Sequence, residues 1–272
     1  MIKLEKTEVV GWKAAIRGMR NPKNSWDRSD SIHCENTTCD DCWLGDDLCE
    51  KCDYFAIGPN DHKLMMNLAA GGPVHAKYRR MITVYTDITA PLYWWKEFDT
   101  YKVGTVANSC STMHKIHDKE FTLEDFSCDH LMDSYLGEDA DANMQVYGQG
   151  EWSPKDVLEF TVDALNHYRK KFLETKTKPM KDESKRAELM KKYWWQMIQL
   201  LPSSYNQKRT IMLNYEVLAG IYPMRKNHKL DEWHVFCDWI KDLPYSEIIT
   251  GPRDGKAFFD GSVNAVEKSK EE

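Results

Sequence analysis

The sequence predicts a globular fold in which helices and strands are mixed, and three observations indicate this. The 272 residues are 42% hydrophobic and 29% charged, which is typical of a folded domain with a core of ordinary size. The run MITVYTDI at 81–88 is β-branched and half alternating, as in a strand. Apolar residues recur at three- and four-residue spacing over 157–172, as in a helix. At this length we expect one principal domain, residues 1–250, and a flexible tail, residues 251–272.

Charge and hydropathy argue against several classes of function. Lys and Arg number 37 and Asp and Glu 43, so the net charge of −6 argues against broad binding to a phosphate backbone. No stretch of about 18 uncharged apolar residues occurs, which is the length that a bilayer requires. The N-terminal lysines are not followed by the apolar run of a signal sequence. The sequence therefore predicts a cytoplasmic protein without a membrane segment.

The first half of the chain predicts strands and helices in turn. Residues 1–20 alternate and then become helical, and a further helix is expected from Asn60 to the stop at Gly71-Gly72-Pro73. The strand at 81–88 follows. Pro91 then opens a helix whose aromatic residues we assign to the core or a subunit interface rather than to a cofactor site. These aromatic residues are Tyr93, Trp94, Trp95 and Phe98.

The second half of the chain predicts mainly helices. Residues 118–151 are acidic and lack a clear period, so we interpret them as an insertion. Ser153 begins a strong helix, and the lysines between 170 and 192 form its solvated end and the start of the next helix rather than a nucleic-acid site. A helix over 189–200 ends before Pro202. Two further apolar segments, 213–222 and 230–240, complete the body.

Five of the eight cysteines lie between positions 34 and 52. In a reducing compartment, closely spaced thiols hold metal more often than they form disulfides. Two CxxC pairs separated by six residues offer four thiolates, the ligand set of a structural Zn²⁺ site. We therefore predict a zinc-knuckle insertion at 33–53. Iron bound by four sulfurs fits the same spacing, and thiols without metal are the alternative. The predicted ligands are Cys39, Cys42, Cys49 and Cys52, with Cys34 as a spare ligand.

Two segments, 72–114 and 201–233, carry a series of short motifs in a fixed order. The first segment holds His75, the strand at 81–88, Ala90-Pro91 and the run Asn108-Ser-Cys-Ser111. The second segment holds Leu201-Pro202, Asn214, Arg225 and Asp231-Glu232-Trp233. In this order and spacing, the motifs resemble those of the flavin-dependent thymidylate synthases.

The resemblance implies an α/β (α+β) fold with a central sheet and packed helices, assembled as a homotetramer whose pockets lie between subunits. In that family a reduced flavin, FAD, supplies a hydride to a pyrimidine deoxynucleotide such as dUMP, and methylenetetrahydrofolate supplies the carbon. The implied substrate-binding residues are Asn108, Ser111, Arg225 and His228. The implied cofactor-binding residues are His75, Tyr101, Lys102 and Asn214.

The motifs depart from the family pattern where phosphate donors are expected. The Arg-His-Arg signature is replaced by Thr100-Tyr101-Lys102, or by Tyr101-Lys102-Val103 in the other register, and Met113 stands where an arginine is expected. Glu216 and Gly220 replace an arginine and an asparagine that contact flavin. Because a pyrophosphate needs forked donors, we predict that FAD binds weakly or is lost on purification. The alternatives are a non-catalytic or repurposed nucleotide-binding member and a metal-stabilised interaction protein.

Each candidate residue also has a purely structural interpretation. His75 can be a core histidine satisfied by a backbone carbonyl. Asn108 and Ser111 can be loop and capping residues, and Arg225 can pair with a surface carboxylate. Cys110, beside Ser111, is a weak candidate nucleophile, because only one nearby histidine could activate its thiol.

Overall fold

The computed structural model describes residues 2–33, 55–133, 144–146 and 150–251. Within these ranges the strands are β1 Lys3–Val10, β2 Ile32–His33, β3 Phe55–Ala56, β4 Thr83–Pro91, β5 Val106–Ser109, β6 Met144–Val146, β7 Gly150–Trp152 and β8 Asn206–Asn214. The helices are α1 Trp12–Arg20, α2 Pro59–Ala70, α3 Leu92–Phe98, α4 Thr112–Lys115, α5 Pro154–Thr177, α6 Glu183–Leu200, α7 Tyr215–Arg225, α8 Asp231–Asp242 and α9 Glu247–Thr250.

The strand and the helix predicted around residues 60–90 are present, with shifted ends. β4 continues the predicted strand as far as Pro91. α2 begins at Pro59, one residue before the expected start, and has no side-chain cap of its own. Instead, the Asp30 carboxylate accepts hydrogen bonds from the backbone N–H groups of Asn60 and Asp61 at 2.8 and 3.0 Å. The free N–H groups at the start of α2 are therefore capped by a residue distant in sequence. Local sequence signals cannot show such a cap, which explains why they misplaced the start of the helix.

Four strands form the main sheet in the order β1-β4-β8-β5, which confirms a mixed fold with a sheet. β8 was not predicted. Every second residue of β8 from Gln207 onward faces inward, as in a strand. The first two of these residues, Gln207 and Arg209, are polar, and only Ile211 and Leu213 are apolar, so the apolar signal covers half the strand. Two smaller antiparallel pairs also occur, β2 with β3 and β6 with β7.

The chain divides into two compact units. Unit 1 comprises residues 1–3, 87–100 and 107–210, and unit 2 comprises residues 4–86, 101–106 and 211–272. In unit 1, α5 and α6 pack against each other around a core that includes the fully buried Leu165 and Met197. α5 begins where predicted, because Ser153 and Asp156 exchange side-chain to backbone hydrogen bonds in a capping box.

Three of the four predicted aromatic residues of α3 lie in the core of unit 1, whereas Tyr93 is half-buried. Trp94 and Trp95 are 0% exposed and Phe98 is 1% exposed. The Trp95 indole N–H donates to the Gln207 carbonyl oxygen at 2.9 Å, and the Arg209 guanidinium carbon lies 4.2 Å from the Trp95 ring centroid. These contacts fasten α3 to β8 and account for the polar residues on the inward face of that strand.

Unit 2 has a core of aromatic residues contributed by α1, α7 and the turn before α9. Trp12 makes edge-on contacts with Tyr215 and Tyr245, with ring centroids 5.3 and 5.4 Å apart. Tyr215 donates its hydroxyl proton to the Pro244 carbonyl at 2.6 Å, and burial raises the pKa of Tyr215 well above its usual value. The phenol is therefore a permanent neutral donor. In the ranges given above, no helix combines the length and the apolar character needed to cross a bilayer.

A buried ion pair joins the end of α1 to the start of α2 in unit 2. Asp61 is 0% exposed, and its Oδ1 accepts a hydrogen bond from Arg20 Nε at 2.6 Å. Its Oδ2 accepts from the hydroxyls of Ser29 and Ser31 at 2.7 and 2.6 Å and from the N–H groups of Asp30 and Ser31 at 3.2 and 3.1 Å. Burial alone would raise the pKa of Asp61, but the hydrogen bonds from Ser31, Ser29 and Arg20 outweigh it, and the pKa is lowered.

Candidate functional site

Several residues that the resemblance assigns to ligand binding meet in unit 2, at the end of α7. Arg225 is the last residue of α7, and its Nε donates a hydrogen bond to the Tyr101 hydroxyl at 2.8 Å. The guanidinium carbon of Arg225 lies 4.4 Å from the centroid of the Trp233 ring in α8 and 5.5 Å from that of Tyr101. The Tyr101 and Trp233 rings contact each other edge-on, with centroids 6.1 Å apart.

His228 completes this group, which we call the Arg225 cluster: Tyr101, Arg225, His228 and Trp233. The His228 N–H donates to the Arg225 carbonyl at 3.0 Å, and His228 Nδ1 accepts from the Leu230 N–H at 3.2 Å. Because Nδ1 is an acceptor, the proton of the neutral ring lies on Nε2. The His228 ring lies 6.2 Å from that of Trp233 and is steeply inclined to it. The side chains of Arg225 and His228 therefore both contact the Trp233 ring.

Three contacts orient the Arg225 guanidinium: the hydrogen bond to the Tyr101 hydroxyl, the Trp233 ring and the Tyr101 ring. Trp233 is 0% exposed and provides a fixed ring face, whereas Arg225 and Tyr101 are half-buried. A cation over an aromatic ring contributes about 0.5–2 kcal/mol, and a positive charge at a helix C-terminus is favourable. An oriented guanidinium recognises planar groups that present two oxygens, such as carboxylates and phosphates, and it also donates to ring carbonyls.

Tyr101 belongs to a segment, residues 101–106, that passes beside the first turn of α7. Gly104 has a φ of +78°, and a Cβ there would lie 3.0 Å from Val217 Cγ2 and 3.3 Å from Asn214 Nδ2. The Asn214 side chain caps α7, because its Oδ1 accepts a hydrogen bond from the Val217 N–H at 3.0 Å. The predicted cofactor residue Asn214 is therefore a helix cap that touches this segment, and Lys102 is exposed on it.

The fold of most of the chain matches solved structures. A crystal structure of the flavin-dependent thymidylate synthase ThyX from Helicobacter pylori, complexed with FAD and dUMP, matches 93% of this chain and 100% of its own, with a TM-score of 0.52 and 15% identity. A second structure of ThyX from Helicobacter pylori with FAD and dUMP matches 93% and 98%, with a TM-score of 0.52 and 14% identity. The chain has a ThyX-like fold. No protein-family model and no curated protein matches the sequence, so the similarity concerns the fold alone.

Tested against this ThyX-like fold, the described donors of unit 2 fit a flavin pyrophosphate poorly. Glu216 stands where a donor is expected, and its carboxylate accepts a hydrogen bond from Arg79 Nε at 2.8 Å. Arg79 is 7% exposed and also donates to the Ile248 carbonyl at 3.1 Å, so its fork is already used inside the unit. The Tyr101 hydroxyl accepts from Arg225. These described side chains therefore do not form a pyrophosphate site.

Arg79 was not among the sequence candidates. Arg79 pairs with Glu216, which lies 137 positions away in the sequence. The only feature of the sequence that drew attention to this arginine was the pair Arg79-Arg80, just before the predicted strand. The pair balances the negative charge that Glu216 would otherwise present to a phosphate. The expected repulsion at this position is therefore reduced, although no new phosphate donor replaces it.

His75 is exposed, which excludes the interpretation as a core histidine. Its N–H donates to the Gly72 carbonyl at 3.0 Å in the turn that follows α2. A Cβ at Gly71 would lie 3.2 Å from the His75 ring, so the ring packs on the glycine that ends the helix. An exposed imidazole can still donate or accept a hydrogen bond from a ligand, and the flavin assignment stays a prediction.

The predicted nucleotide contacts in unit 1 are exposed. Ser111 caps α4, because its hydroxyl oxygen accepts a hydrogen bond from the His114 N–H at 3.1 Å. Asn108 lies in β5 with its side chain exposed. Cys110 is an exposed free thiol whose N–H donates to the Lys208 carbonyl at 2.9 Å. Ser111 thus has the capping role that its residue type favours, and its contact with a nucleotide stays a prediction.

The predicted zinc ligands Cys39, Cys42, Cys49 and Cys52, with Cys34, lie outside the described residues. Among the residues that are described, no group of three or more His, Cys, Asp or Glu side chains is placed to hold a metal ion. The free cysteines in those ranges are Cys110, Cys128 and Cys237. Burial raises the pKa of the Cys237 thiol to about 11, so this cysteine is an inert core residue.

Proposed function

We propose that this protein binds a pyrimidine deoxynucleotide of the dUMP class and that Arg225 contacts its base or phosphate. One observation carries the proposal: the Arg225 guanidinium is held between the Tyr101 hydroxyl and the Trp233 ring, at the position that the resemblance assigns to pyrimidine binding. A guanidinium that is already oriented loses little conformational entropy on binding. The ThyX-like fold supports the ligand class, because both similar structures are complexes with dUMP.

The remaining assignments complete this proposal. Within the Arg225 cluster, His228 is proposed as a second nucleotide contact, because it lies in the turn that follows Arg225. Ser111 and Asn108, which lie in unit 1, are proposed as nucleotide contacts on the resemblance alone, and the proposed assembly is a homotetramer. His75, Tyr101, Lys102 and Asn214 would border a cofactor. The cysteine-rich insertion at 33–53 holds a structural Zn²⁺.

Two candidate activities follow, and they differ in the flavin. If the protein is an active enzyme, a bound reduced flavin would supply a hydride and a bound folate the carbon, while residues of this chain would hold the nucleotide. The second candidate is a nucleotide-binding protein that has lost FAD. The Glu216–Arg79 pair is the observation that keeps this second candidate beside the first, because a carboxylate and an arginine already engaged twice stand near the start of α7, where flavin donors are expected.

Calorimetric titration of the full-length protein with dUMP tests the proposal. Replacing Arg225 by Ala should weaken dUMP binding by about 10- to 150-fold, which corresponds to about 1.5–3 kcal/mol for a hydrogen bond to a charged group. The matched control is Lys226→Ala, which removes a neighbouring exposed cation whose Nζ lies 5.5 Å from the Tyr222 ring centroid. This control should retain wild-type affinity. Equal affinities of the wild type and Arg225→Ala would refute the role of Arg225.

A further inference from the structure

A pocket outside the Arg225 cluster lies along α1 in unit 2. Its volume is about 410 Å³, within the range of sites that hold small ligands. Its described walls come from α1, from the turns that follow α1 and from β3, and they include none of the candidate residues discussed above for nucleotide or flavin. The lining residues include Lys13, Ile16, Arg17, Arg20, Trp26 and Phe55.

One wall of this α1 pocket is positively charged. Lys13, Arg17 and Arg20 recur at helical spacing and so share one face of α1. Arg20 is buried, and its charge is balanced by the buried carboxylate of Asp61, which does not line the pocket. Lys13 and Arg17 are exposed, and the Arg17 side chain forms no hydrogen bond or ion pair with any residue that the structure describes. No carboxylate is among the described lining residues, so this wall favours an anion.

A second wall of the α1 pocket is aromatic. Trp26 is 49% exposed, and it lines the pocket together with Phe55 and Ile16. The Trp26 N–H donates to the Asn21 side-chain carbonyl at 2.8 Å, which holds the ring in place. A fixed, accessible indole beside a guanidinium offers both a stacking surface and a charge to an aromatic anion.

We propose that the α1 pocket binds a phosphate monoester that carries an aromatic ring, with the size and chemistry of a nucleoside monophosphate. Arg17 and Lys13 contact the phosphate, since a guanidinium fork and an ammonium one helical turn apart can engage several of its oxygens. Trp26 stacks on the ring. The buried Arg20–Asp61 pair keeps the end of α1 in position beneath them. This site does not depend on the proposed function of the Arg225 cluster.

The test is calorimetric titration of the full-length protein with AMP, repeated in an Arg225→Ala background so that binding at the Arg225 cluster does not contribute. Saturable AMP binding should weaken at least tenfold in Arg17→Gln and in Trp26→Ala. Adenosine and inorganic phosphate, each lacking half of the ligand, should bind at least tenfold more weakly than AMP. The matched control is Arg28→Gln, which removes an exposed arginine near Trp26 that does not line the pocket, and it should leave AMP affinity unchanged.

Two results would overturn the proposal. One is the absence of saturable AMP binding in the Arg225→Ala background. The other is an equal loss of affinity in Arg17→Gln and Arg28→Gln, which would indicate general electrostatic attraction rather than a site. Thermal melts should show that both variants keep the wild-type midpoint, because both arginines are exposed. If Arg17→Gln melts early, Lys13→Gln on the same wall replaces it, and unchanged AMP affinity in that variant refutes the site.

Discussion

Replacing Asp61 by Asn should destabilise the protein strongly, although it changes a single heavy atom of the side chain. Asp61 is fully buried and is the carboxylate partner of the buried Arg20. If the Asn amide nitrogen takes the place of Oδ1, it faces the Arg20 donor. If it takes the place of Oδ2, it faces the N–H groups of Asp30 and Ser31. Either orientation opposes donor to donor and leaves a buried charge unpaired, which costs about 3–5 kcal/mol.

Urea denaturation at pH 7 measures this cost, with Asp27→Asn as the control because Asp27 is exposed on the turn before Ser29. The control should lie within about 0.5 kcal/mol of the wild type. The pKa of Asp61 is lowered in the folded state, so its stabilisation is present above the unfolded pKa of about 3.9 and is lost as pH falls through the folded value. The difference between wild type and Asp61→Asn should therefore shrink at pH 3. Equal stability of the two Asn variants at pH 7 would refute the argument.

Three further predictions concern the cluster, the flavin and the metal. Tyr101→Phe should weaken dUMP binding by about three- to tenfold by calorimetry, because the variant loses the acceptor that orients Arg225, and an unchanged affinity would contradict this. Added FAD should bind weakly, as followed by flavin fluorescence. Submicromolar FAD binding together with turnover of dUMP would contradict this prediction and support an active flavin-dependent enzyme. Elemental analysis of protein purified without a metal-binding tag should find about one zinc per chain, and metal-free protein with all five clustered thiols open to alkylation would exclude the site.

Local signals in the sequence were sufficient for the elements whose ends depend on nearby residues. The capping box of Ser153 and Asp156 predicted the start of α5, and the β-branched run at 81–88 predicted β4. β8 escaped prediction because its inward Gln207 and Arg209 are satisfied by tertiary contacts, with Trp95 above Arg209. A strand whose apolar face is half polar has no period that a single sequence can reveal.

The candidate site was predicted as separate residues and not as an arrangement. The sequence identified both residues, but it assigned Arg225 to a nucleotide site and Tyr101 to a flavin site. In the structure a hydrogen bond joins them across 124 positions of the chain. The Arg79–Glu216 pair could not be predicted from local signals, because its members lie 137 positions apart. The α1 pocket could not be predicted either, because it depends on how the turns after α1 and β3 fold back beside that helix. Basic residues at helical spacing on α1 look like a solvated face until Trp26 is placed beside them.

The central claim is that Arg225 holds a pyrimidine deoxynucleotide, and a crystal structure of the full-length protein grown with dUMP tests it most directly. The account predicts that a base carbonyl or phosphate oxygen of dUMP lies within about 3 Å of the Arg225 guanidinium, with the Tyr101 and Trp233 contacts retained. Electron density for dUMP at another location, with the Arg225 cluster unchanged and without ligand, would contradict it.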